Sequence, residues 1–391
     1  TWSAAGLAAN SACSASGDGA GTAAVRVTRT YDSRNRLRTL VFPDGNGDQL
    51  WRYTSAGKPD QIVTKAAGSP DVINVYAYNR RGLLTGESGG ELGAHNWSVG
   101  YAYDSNATLS GVRYPSGLFV DYAPNALGQA TRAGTYAQAV SYHPNGGMKG
   151  FAYGNGIQHT MQQNARQLPA RVQDGAVLDN GYTYDSAGNV VAIQDGHDAT
   201  RTRTMQYDGL DRLVRAVSPS FGGDGIARFS YDAIDNLRSS HLGGKRQFNY
   251  LYDVSNRLTN IRDDAGATTI GLSYDAKGNL KSKNGMQFAF DHGNRLRQVA
   301  GVESYRYDGH GRRVANIRPG GASRLSFYGF DGVLRRQQDA AGKGDEYIYL
   351  NGSLVAQVET GEVMSSPVLT LPSFSPRGAY AVAWTSVASA S

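Results

Sequence analysis

One short motif returns along almost the whole chain, and it constrains the fold more than any other feature. It reads YDAKGNL at residues 274–280 and YDSAGNV at residues 184–190. We number it with Tyr at position 0, Asp at +1, Gly at +4 and an apolar residue at +6. Fifteen copies recur at intervals of about 21 residues, a period typical of stacked-repeat architectures. They start at residues 31, 53, 78, 103, 124, 142, 163, 184, 207, 231, 252, 274, 290, 307 and 328.

The residue types at +1 and +4 predict a hairpin turn inside each copy. Position +1 is Asp or Asn in twelve copies, and these side chains open type I turns by accepting backbone N–H bonds. Position +4 is Gly in eight copies and Asn or Asp in five, the residues that tolerate a left-handed backbone. A type I turn followed by a left-handed residue commonly closes a β-hairpin.

The residues that flank the turns alternate as in β-strands. In SYRYD, Tyr305 and Tyr307 share one face while Ser304 and Arg306 take the other. The best helix candidate, residues 157–173, is interrupted by a proline. Because a two-stranded unit cannot bury an apolar face alone, successive copies must stack. We therefore predict an all-β protein whose chain forms one continuous antiparallel sheet, coiled along its length.

We predict that the positions of the motif that recur from copy to copy have structural roles. We expect Tyr to pack across strands, Asp to bind the turn, the +4 residue to reverse the chain and Leu to pack on the next strand. The structural-repeat residues are Tyr31, Asp32, Tyr184, Asp185, Gly188, Tyr207, Asp208, Tyr231, Asp232, Tyr252, Asp253, Tyr274, Asp275, Gly278, Leu280, Tyr307, Asp308 and Gly311. Irregularities are expected where copies depart from the pattern, at Ala107, Pro124, Gln163, Gln167 and Arg313.

The charge pattern gives no indication of a nucleic-acid or membrane partner. The net charge of +6 comes mostly from Arg and is spread along the chain without a basic block. An Arg recurs at +5, and we expect an exposed row of these residues paired with neighbouring carboxylates: Arg36, Arg212, Arg257, Arg295 and Arg312. No apolar run approaches the roughly 18 residues that a membrane-spanning helix needs.

No residue cluster indicates catalysis, a cofactor or a metal, so we expect no enzymatic activity. Most Asp residues lie in turns, which singles out no carboxylate pair. Residues 44–48 imitate the start of a calcium loop, but Gln49 and Ser55 stand where that loop needs Gly and Glu. His292 and His310 fall inside turns and are expected to be exposed. The lone Cys13 allows no intrachain disulfide and has no base partner in sequence.

Both ends of the sequence differ from the repeat. Residues 1–24 are rich in Gly, Ala and Ser, and we expect them to be flexible. They have no start Met and no features of a signal peptide, so we interpret the chain as a piece of a larger polypeptide whose targeting signal lies elsewhere. We expect the repeat over 25–362. In residues 363–391, Tyr380, Val382 and Trp384 alternate, which is similar to the first strands of a fibronectin type III domain.

The motif at this spacing resembles the RHS or YD-repeat family. That family includes bacterial Rhs polymorphic toxins, the B and C components of insecticidal toxin complexes, wall-associated proteins and teneurins. The resemblance covers residues 25 to about 362 and includes YHPNGGMKGFAYGNG at 142–156 and YIYLNGSLVAQVE at 347–359. It implies a sheet wound into a hollow shell around a toxin domain. Rhs cores usually end in an Asp-Pro segment that cleaves its own chain, and this sequence contains no Asp-Pro dipeptide.

Two functional hypotheses follow from the repeat and the resemblance. The first is a structural shell segment that encloses or presents a toxin or effector domain located outside this sequence. Its partners are then the rest of its own polypeptide or a companion shell subunit, and its location is secreted or at the bacterial cell envelope. The alternative is a binding or adhesion module for carbohydrate or a cell surface, because stacked aromatic rows and polar turns suit sugars.

Overall fold

The computed structural model describes residues 26–92, 95–321 and 323–360, together with the backbone of two short strands further on. Those strands, Leu369–Thr370 and Ala383–Trp384, pair antiparallel with each other. The predictions for residues 1–24 and for most of 363–391 lie outside the described residues. The division into three segments and the fibronectin-like assignment therefore stay predictions.

Within the described residues the chain is all-β, as predicted, and its helical elements are two 3-10 turns at Ala199–Arg201 and Pro219–Phe221. None of its described helices is long and apolar enough to span a membrane. The strands of the first sheet are β1 (Thr28–Tyr31), β2 (Leu37–Val41), β3 (Gln49–Tyr53), β4 (Pro59–Ala66), β5 (Ser69–Tyr78), β6 (Leu84–Glu91), β7 (His95–Tyr103), β8 (Leu109–Arg113) and β9 (Phe119–Asp121).

A second sheet follows. Its strands are β10 (Ala137–Tyr142), β11 (Met148–Tyr153), β12 (Gln158–Gln163), β13 (Pro169–Asp174), β14 (Leu178–Tyr184), β15 (Val190–Asp195), β16 (Arg203–Tyr207), β17 (Leu213–Val217), β18 (Ile226–Tyr231), β19 (Leu237–Leu242), β20 (Arg246–Tyr252), β21 (Leu258–Arg262), β22 (Thr268–Tyr274), β23 (Leu280–Lys283), β24 (Met286–Phe290), β25 (Leu296–Val299), β26 (Glu303–Tyr307), β27 (Arg313–Ile317), β28 (Ser323–Tyr328), β29 (Leu334–Asp339), β30 (Gly344–Leu350) and β31 (Ser353–Thr360).

In both sheets each strand neighbours the strands before and after it in sequence. The expectation of one continuous sheet is wrong in one respect, because β1–β9 and β10–β31 form separate sheets of nine and 22 strands. The break falls after β9, in the copy that carries Pro124 at position 0. Proline has no N–H to donate to a strand ladder, which explains why pairing stops there.

The backbone of the turns is uniform in all fifteen copies. The residue at +4 has a positive φ throughout, between 59° at Asn35 and 100° at Gly188. Ala107 and Gln167 adopt the same left-handed conformation, at 66° and 63°, without interrupting the sheet. Position 0 then pairs with +6 across the turn with a register shift, as Tyr207 does with Leu213. The extra turn residue is thus absorbed as a β-bulge.

The other departures from the motif cause no break. Gln163 pairs with Pro169 in the β12–β13 ladder, in the place that Tyr and Leu hold elsewhere. Arg313, at +6, lies with its guanidinium 4.1 Å from the ring centre of Tyr305. A cation over an aromatic face is attracted by the ring quadrupole, so Arg313 has a favourable contact in place of the usual Leu. Of the five expected irregularities, only the one at Pro124 interrupts the sheet.

The chain divides into two compact units. Unit 1 comprises Thr1–Tyr136, Ala276–Asn279 and Gln287–Ser391, and unit 2 comprises Ala137–Asp275 and Leu280–Met286. Unit 1 has a fully buried apolar core that draws on both of its sheets and includes Ile62, Val72, Val112, Tyr114, Val120, Ile348 and Leu350. Among the described residues of unit 2, the buried apolar side chains are Ala137, Phe151, Ala216 and Ala227. Its repeat tyrosines are half-buried.

Candidate functional site

The Asp at +1 binds its own turn through both carboxylate oxygens. In the turn of β16–β17, Asp208 Oδ1 accepts the backbone N–H of Leu210 at 2.9 Å and of Arg212 at 3.0 Å. Its Oδ2 accepts Arg212 Nε at 2.8 Å. These bonds to the charged form, the Arg212 side chain first, hold the pKa of Asp208 below its usual range. The equivalent Arg36 lowers the pKa of Asp32 to about 2.

The other predicted repeat residues occupy the same places in their copies. The carboxylates of the copies at 184, 231, 252 and 307 bind their turns as Asp208 does: Asp185, Asp232, Asp253 and Asp308. Gly188, Gly278 and Gly311 have φ of 100°, 86° and 77°. Leu280 is half-buried in β23 and Asp275 is half-buried in the turn before that strand, while Tyr31 is 53% exposed.

In eight copies the Tyr at position 0 links the copy to the copy before it. Its hydroxyl donates to the backbone carbonyl of the +6 residue of the preceding copy, as Tyr252 does to Leu237 at 3.1 Å. The same bond joins Tyr53 to Leu37, Tyr103 to Leu84, Tyr184 to Pro169, Tyr207 to Val190, Tyr231 to Leu213, Tyr274 to Leu258 and Tyr307 to Leu296. We call this series the tyrosine ladder. The repeat pattern predicts packing for these rings and does not indicate this hydrogen bond.

The Arg at +5 differs from expectation in its exposure. The five side chains are paired with the Asp of their own turn, as predicted, but they are half-buried instead of exposed. The cause is a second contact. The guanidinium of Arg36 lies 4.4 Å from the ring centre of Tyr53, and that of Arg212 lies 4.9 Å from Tyr231. Each such Arg therefore joins its own turn to the ring of the following copy.

Removing one hydroxyl from the tyrosine ladder is expected to destabilise the sheet slightly. Tyr252→Phe removes the bond to the Leu237 carbonyl and should lower the free energy of unfolding by about 0.5–1.5 kcal/mol. Amide hydrogen exchange around residues 237 and 252 and thermal unfolding measure the loss. Tyr31→Phe is the control, because the exposed Tyr31 makes no ladder bond in the described part of the chain. Equal losses for the two variants would contradict the ladder.

In unit 1, three successive turns of the second sheet dock against the first sheet. Each turn presents the backbone N–H of its +2 residue to a side-chain oxygen. Asp44 accepts from His292 at 3.2 Å, Asn74 from Gly309 at 3.3 Å and Glu87 from Phe330 at 2.6 Å. The acceptors belong to the β2–β3 loop, to β5 and to β6. We call these three turns and their acceptors the seam.

The middle and third turns of the seam are also held by other contacts. Gln49 Nε2 donates to the Gly309 carbonyl at 2.9 Å, so both backbone groups of Gly309 are bound by buried amide side chains. The ring of Phe330 lies edge-on to Tyr76, with centroids 5.1 Å apart. Because these partners come from the opposite sheet, the seam fixes how the two sheets of unit 1 pack.

A buried carboxylate also joins these two sheets. Here the acceptor belongs to the second sheet and the donor turn belongs to the first. Glu346 of β30 is fully buried and accepts from the β8–β9 turn: Ser116 N donates to Oε1 at 2.8 Å and Ser116 Oγ to Oε2 at 2.6 Å. The neighbouring Arg336 pairs with Oε1 at 3.1 Å and lies over the ring of Trp97. Burying a charge is costly unless it is paired and hydrogen-bonded, and Glu346 satisfies both conditions.

Glu87 is the more buried of the two carboxylates among the seam acceptors. Only 5% of the residue is exposed, and burial raises the pKa of its carboxyl above the ordinary 4.5. The Tyr101 hydroxyl and the Phe330 N–H donate to this carboxylate and partly offset the effect. Asp331 raises the pKa further and Arg335 lowers it.

The raised pKa of Glu87 determines whether its contribution to the free energy of unfolding rises or falls with pH. Folding favours the protonated form, so this group stabilises most below pH 4.5 and loses that contribution as pH rises through its folded pKa. The difference in unfolding free energy, wild type minus Glu87→Gln, should therefore fall as pH increases from 4.5 upward. Denaturant unfolding of both proteins over this pH range measures it. A difference that grows with pH would contradict the assignment, and Glu359→Gln serves as a control at a partly exposed carboxylate.

Of the two turn histidines, His310 is exposed, as expected, but its ring makes specific contacts, whereas His292 is half-buried, contrary to expectation. The ring of His310 is hydrogen-bonded to the Tyr76 hydroxyl at 2.7 Å and contacts Trp51 and Phe330 edge-on. Desolvation of the ring by these neighbours lowers the pKa of His310. His292 is half-buried and donates its N–H to Asp44. Histidine here contributes to the seam.

The calcium-loop imitation at residues 44–48 is a turn. Asp44 Oδ1 accepts Asn46 N–H, Asn46 Oδ1 accepts Ala67 N–H and Asp48 Oδ1 accepts Phe42 N–H. These oxygens satisfy the backbone of the loop. Across the described ranges, no group of three or more His, Cys, Asp or Glu side chains is arranged to hold a metal ion.

The repeat pattern does not reveal the residues that join the two sheets of unit 1. Glu87, Asn74 and Glu346 stand outside the motif, so the repeat gave no reason to select them. One signal was available. The sequence has only six Glu residues against 27 Asp, and three of the six, Glu87, Glu91 and Glu346, lie inside strands where they are buried. A rare acidic residue at an inward strand position indicates a specific partner.

Comparison with known proteins agrees with this architecture. The family model for the teneurin YD-shell matches residues 226–349. Teneurin-3 of Mus musculus is 24% identical over 186 residues, covering 46% of this chain and 7% of the relative. The toxin protein Tse5 of Pseudomonas aeruginosa is 28% identical over 226 residues, covering 55% of this chain and 17% of the relative.

Solved structures share the fold. The crystal structure of TcdB2-TccC3-Cdc42 matches 86% of this chain and 22% of its own with a TM-score of 0.54 at 15% identity. TcdB2-TccC3 alone gives a TM-score of 0.52. The chain thus spans less than a quarter of the length of the relatives and structures cited here. Uniform left-handed turns, the tyrosine ladder and these matches define a YD-repeat β-sheet protein. These matches support the resemblance of the chain to the RHS/YD-repeat family.

Proposed function

We propose that this chain is a structural shell segment of an Rhs-type protein, and that it encloses or presents a toxin or effector domain. The observation that carries the proposal is the antiparallel arrangement of strands, in which the tyrosine ladder joins eight copies to the copy before them. Such a wall needs no catalytic residue, because each copy contributes the same two strands and a turn. The similarity to the toxin protein Tse5 and the fold shared with TcdB2-TccC3 support the toxin context.

The same evidence supports the proposed partners and location. The partner is the remainder of the same polypeptide or a companion shell subunit, since this chain covers a minor part of each relative. The protein acts outside the cell or at the bacterial surface, as expected of a toxin carrier.

Electron cryomicroscopy of the longer protein that contains this sequence tests the proposal. We expect residues 26–360 to form part of a wall around a lumen that holds density from another domain. Limited proteolysis of the same sample should leave that domain uncut until the wall is opened by denaturant. A solid rod without a lumen would overturn the proposal, as would an effector domain that proteases reach at once.

A further inference from the structure

Arg203 of unit 2 is a half-buried arginine without a counter-charge. Its Nε is buried and has no hydrogen-bond partner, and within the described residues its guanidinium makes no hydrogen bond, ion pair or ring contact. An Arg side chain is always charged in proteins. A charge that is buried without a partner disfavours the folded state, so Arg203 does not serve the stability of the sheet as the paired arginines of the turns do.

The strand register places Arg203 on an apolar part of the sheet. Arg203 lies opposite Ile193 in the β15–β16 ladder, and Ile193 lies opposite Tyr182 in the β14–β15 ladder. Residues that lie opposite each other in antiparallel strands project from the same face, as do residues two apart on one strand, so Met205 shares this face. All three neighbours are half-buried. The side chains of Ile193 and Met205 offer no oxygen to a guanidinium.

The carboxylate that follows on the same face is already engaged. Asp195 comes two residues after Ile193, and its Oδ1 accepts the N–H groups of His197 and Asp198, each at 2.9 Å. Unit 2 contains no Glu that could replace it. An acceptor for Arg203 is therefore expected from outside this unit.

The hydroxyl of Tyr182 is a second unpaired donor on this face. Tyr182 comes two residues before position 0 of its copy. Tyrosines at the same place in other copies use their hydroxyls: Tyr76 bonds to His310, Tyr101 to Glu87 and Tyr250 to Ser240. In the part of the chain that the structure describes, Tyr182 makes no such bond. A cation and a hydroxyl donor thus flank the apolar Ile193, two strands apart.

We propose that Tyr182 and Arg203 form a binding site for a carboxylate that is attached to an apolar chain. The guanidinium fork matches the two oxygens of a carboxylate, and the phenol donates a further hydrogen bond. Ile193 and Met205 pack against the apolar part of the ligand. Two sources provide this chemistry, a free aliphatic acid and an acidic residue among apolar residues of a polypeptide. The inference rests on the two unpaired donors and not on the proposed shell function.

Calorimetric titration of the complete chain with octanoate tests the site. We expect saturable one-to-one binding of octanoate, and weaker binding of acetate, which lacks the chain, and of octanol, which lacks the charge. A leucine-rich peptide with one Glu and blocked ends, compared with the same peptide carrying Gln, tests the polypeptide source. Binding of octanoate or of the Glu peptide supports the site and identifies which source it accepts. Binding of neither, or equal binding of octanoate and octanol, would overturn the proposal.

Matched variants locate the binding. Arg203→Gln should weaken binding of the carboxylate probe by at least about tenfold, and Tyr182→Phe by about threefold. Arg215→Gln removes the same charge from the other face of the neighbouring strand, where Arg215 lies opposite Gln206, and should leave the affinity unchanged. Equal losses for Arg203→Gln and Arg215→Gln would show general attraction of anions and would overturn the assignment.

The melting temperature gives a readout that needs no ligand. Arg203→Met keeps the apolar stem and removes the unpaired charge, so the ligand-free variant should melt at a higher temperature than the wild type. Octanoate should then raise the melting temperature of the wild type and leave that of Arg203→Met unchanged. A lower melting temperature for ligand-free Arg203→Met would identify Arg203 as a structural residue and overturn the proposal.

Discussion

Replacing Glu346 with alanine is expected to lower the free energy of unfolding of unit 1 by about 3–5 kcal/mol, the usual result of breaking a buried ion pair. The carboxylate is fully buried and accepts three hydrogen bonds, two from Ser116 and one from Arg336. Without it, the Arg336 charge and the Ser116 N–H remain buried and unpaired. Denaturant unfolding followed by tryptophan fluorescence measures the effect, since Trp51 and Trp97 both belong to unit 1.

Two comparison variants test whether the loss comes from breaking the buried Glu346–Arg336 pair. Glu359→Ala removes a partly exposed carboxylate that pairs with Lys343 at 3.3 Å, and we expect a loss of about 0–1 kcal/mol. Glu346→Gln keeps the shape and one acceptor oxygen, so it should fall between the two alanine variants. A Glu346→Ala loss no larger than that of Glu359→Ala would show that solvent reaches the site.

Tyr114→Ala is expected to have a similarly large effect, about 3–5 kcal/mol, because it removes a ring from a closed core. Tyr114 is 2% exposed, and its hydroxyl donates to the Tyr347 carbonyl of the opposite sheet at 2.9 Å. Tyr114→Phe isolates the hydrogen bond and should cost about 1 kcal/mol. Thermal unfolding and hydrogen exchange in β8 and β30 measure both variants.

The ladder tyrosine Tyr274 is the contrast for Tyr114. It is half-buried and belongs to unit 2, so Tyr274→Ala should cost less than Tyr114→Ala, and its effect should stay within neighbouring copies. We do not expect Tyr274→Ala to lose as much unfolding free energy as the removal of a ring packed between two layers would. A larger loss at Tyr274 than at Tyr114 would contradict the burial of the two rings.

The repeating parts of the fold could be predicted, because each copy contains the same turn-forming residues between alternating strand residues. Gly, Asn or Asp at +4 indicates a left-handed turn wherever it stands, and even Ala107 and Gln167 follow the neighbouring copies. An irregularity at Pro124 could be anticipated, since the missing N–H is a property of that residue alone. The number of sheets could not, because the same pattern suits one long sheet or two.

The contacts between the sheets could not be predicted, and the reason is physical. Ser116 and Glu346 are 230 positions apart, and Asp44 and His292 are 248 apart. Such pairs depend on how the sheets pack as bodies, which no local period encodes. The +5 arginines show the same limit at shorter range. Their pairing with Asp followed from spacing, whereas their burial depends on the ring of the following copy.

The tyrosine ladder has a consequence for how such a chain can change its length. Each ladder bond uses only position 0 of one copy and +6 of the copy before it, so a duplicated or deleted copy recreates every bond at the new junction. The seam has no such freedom, because Asp44, Asn74 and Glu87 each face one particular turn. Gain or loss of whole copies is therefore compatible with residues 137–275 and incompatible with residues 287–332.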